Sequence, residues 1–201
     1  MTHDFFYRFT NTDMLELLPD ETEVLIFNGN NINYLRNNVI GMVQEHELLK
    51  VIDLSNNNIS EISGKAFHKV RNVEILILNH NDLRISGDES HPRVLTNFYN
   101  LRELHLDNAF TELIDSKYYL EDLQAILMAA SAEGVKSLYK LSLEQNEIWS
   151  INTKLFCSDF IPSLSYLYLG KNLYFLVIWI LPPFCLLERA KIQTRAQLFK
   201  E

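Results

Sequence analysis

One spacing, L-x-x-L-x-L-x-x-N-x-L, returns along this chain and narrows what it can fold into more than any other feature. Leu49, Ile52, Leu54, Asn57 and Ile59 fill it without a mismatch. So do Val73, Leu76, Leu78, Asn81 and Leu83, and again Leu138, Leu141, Leu143, Asn146 and Ile148. Leu25, Phe27, Asn30 and Ile32 follow with Thr22 in the opening slot, and Leu164, Leu167, Leu169 and Asn172 with Tyr174 in the closing one. The weak copy is Leu101, Leu104 and Leu106, which continues with Ala109 and Thr111. Leu is 32 and Asn 19 of the 201 residues, so chance matches need weighing. From that composition a full match arises with a probability on the order of 2 in 1000 per position, and three full copies mark a true repeat.

Side chains alternate across a strand, so the fourth and sixth slots of each copy point the same way and can share a core. The asparagine both donates and accepts, so a stacked ladder of Asn30, Asn57, Asn81, Asn146 and Asn172 can satisfy buried turn backbone. Each copy can bury its apolar face only against its neighbours. The expected fold is α/β, a solenoid with a curved parallel sheet, about six repeats and a helical insert in the fourth. This pattern resembles the leucine-rich repeat family over about residues 20–174. The continuation Ile62, Gly64, Ala66, Phe67 and Val70 resembles the 24-residue form of its extracellular members. The resemblance implies a sheet on the concave face and a binding rather than catalytic role.

Repeat starts at 22, 49, 73, 101, 138 and 164 leave one long interval, between 101 and 138. Within it Leu120, Leu123, Ile126, Leu127 and Ala130 recur at helical spacing over Tyr119–Ala132. Asp115 and Ser116 are N-cap candidates and Gly134 a stop. A strand of this type followed by a long Ala-rich insert resembles one type I membrane member of the family associated with restraint of Wnt signalling.

The chain divides into an N-terminal flank (1–20), the solenoid (21–172), an apolar segment (173–187) and a basic tail (188–201). Met1–Asp20 lacks the basic start, apolar core and cleavage site of a signal peptide, while Leu18, Pro19 and Thr22 resemble the exit from a cap. The expectation is a chain truncated at both ends; the alternative is a cytosolic repeat scaffold or regulatory subunit, which needs no paired cysteines. Leu173–Leu187 carries no charge but is short for a bilayer span, and Pro182 and Pro183 interrupt it. A membrane span, a buried terminal cap segment and read-through of a damaged gene model are the three readings it allows.

Lys plus Arg number 18 against 26 Asp plus Glu, a net charge of −8 that argues against general nucleic-acid binding. Two cysteines, Cys157 and Cys185, cannot build a disulfide framework or a four-cysteine zinc site, and Cys157 reads as a buried thiol. No phosphate loop, dinucleotide fingerprint, zinc-protease helix or nucleophile elbow occurs, and His46-Glu47 lacks a second histidine four positions from the first. The expectation is therefore no enzyme, no cofactor and no metal. Glu103, His105 and Asp107 alternate onto one strand face, but residues two apart are ~6–7 Å apart at the backbone, which favours solvated charges over shared coordination.

Outward strand positions should instead form columns: Val24, Val51, Ile75, Glu103, Lys140, Tyr166, beside Ile26, Asp53, Ile77, His105, Ser142, Tyr168. Apolar residues where a solvated sheet would be polar, rimmed by Asp53, Glu103, Asp107 and Glu144 and by Tyr166 and Tyr168, suit a protein ligand or receptor. Asn58-Ile59-Ser60 is the one N-glycosylation sequon, with Asn58 expected to face out of the stack.

Overall fold

The computed structural model describes residues 15, 18–40, 45–84, 93–133, 136–149, 151, 161, 163–172 and 191–193. Cys157, Gly134 and residues 173–187 lie outside them.

Each repeat contributes one three-residue strand at its third-to-fifth slots: β1 (Val24–Ile26), then, with one short strand between each pair, β3 (Val51–Asp53) and β5 (Ile75–Ile77). The short strands β2 (Tyr34–Leu35) and β4 (Glu61–Ile62) pair with each other in a second parallel sheet. The main sheet continues through β6 (Glu103–His105), β7 (Lys140–Ser142), β8 (Tyr166–Tyr168) and β9 (Lys191–Gln193). Its order is β1-β3-β5-β6-β7-β8-β9, all parallel, so every strand neighbours the next repeat's strand. Such one-dimensional stacking is what nearest-neighbour burial requires.

Register follows the leucine columns. Leu25, Ile52, Leu76, Leu104, Leu141 and Leu167 lie opposite one another across six strands and are all buried. Leu49, Val73, Leu101, Leu138 and Leu164, the opening slots, are buried as a second column. A one-residue slip would turn these columns out to water, which fixes the pairing. Phe67 and Phe98 meet at 5.2 Å behind them. His46 takes the slot three before the opening residue, where Val70, Phe98 and Ile161 stand in other repeats; it is buried, and its Nδ1 meets no partner.

The asparagine slot works as a ladder. Asn81 Oδ1 accepts from the Asn57 and Ile59 amides at 3.2 and 2.9 Å, while its Nδ2 donates to the Leu78 and Leu54 carbonyls at 2.8 and 3.1 Å. Asn172 repeats this on Asn146 and Ile148, at 2.7 and 3.2 Å. Asn30 closes its own turn on the Phe27 carbonyl at 3.2 Å. At the first step the ladder is incomplete, since the buried Asn57 Oδ1 has no donor. Where Ala109 replaces asparagine, the Leu83 amide reaches the Ala109 carbonyl at 2.8 Å instead, so the backbone closes the gap.

The residue before the ladder slot is left-handed in all six repeats where it is described: Gly29 (φ 71°), Asn56 (55°), His80 (54°), Asn108 (47°), Gln145 (59°) and Lys171 (57°). Only the first is glycine, so the side chains at the other positions bear a conformational cost that the ladder bonds offset.

In the long interval α1 (Ser116–Glu133) buries Tyr119, Leu120, Leu123, Ile126, Leu127 and Ala130. Asp115 Oδ1 caps it by accepting from the Lys117 amide at 2.9 Å, and Tyr119 stacks on Phe110 at 4.4 Å.

One expectation is corrected. Lys191–Gln193 was assigned to a basic tail, yet it is a seventh strand, in register with Tyr166–Tyr168. Lys191 follows Tyr166 by 25 positions, a spacing within the range of the other repeats.

Candidate protein-binding face

The sheet has one side on the core and one side open, and alternation sends the first and third residues of each strand to the open side. The pairing sets Val24, Val51, Ile75, Glu103, Lys140 and Tyr166 in one column, and Ile26, Asp53, Ile77, His105, Ser142 and Tyr168 in the next. The two columns differ in character along their length.

At the N-terminal end the surface is apolar. Val24 is 52% and Ile26 64% exposed, with Val51, Ile75 and Ile77 half-buried beside them. Asp53 edges this patch, but its oxygens are engaged: Oδ1 accepts from the Ser55 amide at 2.9 Å and Oδ2 from Asn28 Nδ2 at 3.4 Å.

The middle is a closed polar cluster. Glu103 Oε1 accepts from the Tyr139 hydroxyl at 2.7 Å; its Oε2 accepts from Lys140 Nζ at 2.8 Å and lies 3.0 Å from His105 Nε2. The expectation of solvated, separate charges on Glu103 and His105 fails, because the Glu103 side chain is only 17% exposed and their side chains meet across the strand pleat. Burial alone would raise the Glu103 carboxyl, but the bonds from Lys140, Tyr139 and His105 outweigh it and hold the group at about 2. The Tyr139 hydroxyl is raised in turn, chiefly by its bond to Glu103.

Asp107 belongs to a different set. Its Oδ1 accepts from the Ser142 hydroxyl and from the Glu144 amide at 2.8 Å, and its own amide donates to Asn79 Oδ1 at 2.8 Å. Glu144 leans over Gly170, where a Cβ would stand 2.8 Å from its Oε1. Among the described residues no group of three His, Cys, Asp or Glu could hold a metal ion. At the C-terminal end Tyr166 meets Tyr139 edge-on at 6.0 Å, and Lys140 lies 5.8 Å from the Tyr168 ring.

Tyr139 was absent from the sequence-derived set, since it precedes its strand and alternation assigns it no face. Lys140 stood in the column beside Glu103, and their opposite charges on neighbouring strands were the available signal. Glu103, Asp107 and Asp53 are bonded internally, whereas the side chains of Val24, Ile26, Val51, Ile75 and Ile77 have no hydrogen bonds to break.

The acid dependence follows from sign. A carboxyl held below its unfolded value contributes stability that is full above about 4.5 and lost as pH falls through about 2. Wild type should therefore lose more stability than Glu103→Gln across that window, measured by urea unfolding at stepped pH.

A family model described as "Leucine rich repeat" matches residues 41–83. The chain is built as a leucine-rich repeat solenoid. Human lumican is 35% identical over 106 residues, which is 50% of this chain and 31% of lumican. Lumican from Coturnix japonica is 27% identical over 146 residues, 61% of this chain and 39% of that protein. Human Toll-like receptor 8 is 34% identical over 125 residues, 62% of this chain and 11% of the receptor. The chain thus spans well under half the length of these relatives. The crystal structure of human 5T4 (Wnt-activated inhibitory factor 1, trophoblast glycoprotein) superposes with a TM-score of 0.66 at 23% identity, covering 81% of this chain and 56% of that one. The superposition shows that the two share a fold.

Proposed function

We propose that the solenoid is a non-enzymatic recognition module whose open sheet face, concave in this fold, binds a protein ligand at the cell surface or outside the cell. The observation that carries this is the apolar patch of Val24, Ile26, Val51, Ile75 and Ile77 on a face that a solvated sheet would keep polar. A receptor and a glycoprotein among the similar proteins support it. Modulation of a Wnt-type signal is the specific form that the interrupted fourth repeat favours.

Two further features bear on location. Asn58 is exposed and left-handed, with Ser60 bonded to the Asn33 carbonyl at 3.0 Å, so the sequon stands where a glycan can attach. Among the described residues no helix is long and apolar enough to cross a membrane.

The full chain, screened against an array of cell-surface ectodomains, is expected to retain at least one at about micromolar affinity or tighter. Val24→Asp and Ile26→Asp should weaken it roughly ten-fold or more while leaving thermal melting nearly unchanged, since both side chains are exposed. Binding that survives both substitutions would place the site elsewhere.

A further inference from the structure

We propose that the start of α1 carries a second docking surface, separate from the open sheet face, which takes a basic side chain flanked by an apolar one from a partner protein. The turns that follow β6 and β7 enclose a hollow of about 240 Å³ between them, floored by Phe110 and Tyr119. Three large apolar groups stand exposed around this end of the helix. Leu113 is 80% exposed, Tyr118 59% and Trp149 50%. Scattered single apolar residues need no explanation, but three clustered at one helix end mark a contact surface.

The Trp149 ring is held in place rather than free. Its Nε1 donates to Asp115 Oδ1 at 3.1 Å, the same oxygen that caps α1. A fixed indole is a preorganised wall, and its face attracts a cation.

The charge around the hollow is of one sign. Glu112 and Glu147 line it with Asp115, and among the described residues none of the three forms a salt bridge. Asp115 is already committed to the helix cap and the indole, which leaves Glu112 and Glu147 as the unneutralised pair. Lys117, the cation that leaves the helix beside them, lies 5.9 Å from the Tyr118 ring. An arginine or lysine entering between Trp149 and the two glutamates would meet the indole face and both carboxylates. Its apolar neighbours would cover Leu113 and Tyr118.

The test uses Trp149 as its own reporter, in the full chain carrying Trp179→Phe so that one indole remains. The probes are the capped tripeptide Leu-Arg-Leu and its charge-reversed counterpart Leu-Glu-Leu. The arginine peptide is expected to change Trp149 fluorescence in a saturable, salt-sensitive way, while the glutamate peptide does not. Glu112→Gln and Glu147→Gln should each weaken binding roughly three-fold, in keeping with exposed charges, and more when combined. Ile26→Asp should leave this response intact, which separates the site from the sheet face. Equal responses to both peptides, no saturable response, or unchanged binding in the double glutamine variant would overturn the proposal.

Discussion

Asn146→Ala is expected to destabilise the chain by about 3–5 kcal/mol, the largest loss of any ladder substitution. This side chain is buried and uses both ends fully. Oδ1 accepts from the Ala109 and Phe110 amides at 2.9 and 3.3 Å, and Nδ2 donates to the Leu106 and Glu144 carbonyls at 2.7 and 3.1 Å. Alanine would leave the two buried amides and the Leu106 carbonyl without partners at the junction between the fourth and fifth repeats, while the Glu144 carbonyl keeps the Asn108 amide at 2.8 Å. The fourth repeat has Ala109 rather than asparagine in its ladder slot, so the Asn146 carboxamide alone supplies the ladder bonds between its turn and the next, beside the Asn108–Glu144 and Asp107–Glu144 bonds. A domain this size is stable by only about 5–15 kcal/mol, so the variant should sit near the edge of folding. Asn30→Ala should cost less, because its amide is only half-buried. Urea denaturation of both variants, compared at constant slope, measures the difference; equal costs would mean that the backbone closes the Asn146 gap as it does at Ala109.

The sheet was legible because parallel register is dictated by the buried leucines. Once Ile52, Leu76 and Leu104 must share a layer, Val51, Ile75 and Glu103 have no choice of column. The ladder was legible for the same reason, since a carboxamide at a fixed offset has only the neighbouring turn to bond. Other features were not. The left-handed slot holds Gly, Asn, His, Asn, Gln and Lys in turn, so no residue type announces it. The compensation at Ala109 is made by backbone, which leaves no trace in side chains. The closed state of Glu103 depends on a tyrosine just outside a strand, and strand alternation says nothing of where that ring turns. β9 was missed because its repeat has drifted: Ile192 keeps the slot opposite Leu167, but Arg189, Thr194 and Gln197 occupy the slots of Leu164, Leu169 and Asn172.

That drifted strand carries the second large effect. A chain stopped after Asn172 is expected to self-associate, where the full chain stays monodisperse. β8 is paired on both sides, with β7 and β9, and its removal from β9 opens a row of backbone donors and acceptors along one edge. Leu164, Leu167 and Leu169, buried in the full chain, form the layer behind that edge. An apolar terminal layer with an open edge is what solenoids close with a polar end repeat. Light scattering of the stopped chain should show concentration-dependent growth, and its unfolding should lose cooperativity. The stopped chain also lacks 173–190, so a second variant isolates the strand itself. Ile192→Asp in the full chain places a charge at the register position of Leu167 and is expected to shift behaviour the same way, more weakly. Should Ile192→Asp remain monodisperse and as stable as wild type while the stopped chain aggregates, the attribution of the closing cover to β9 would be overturned.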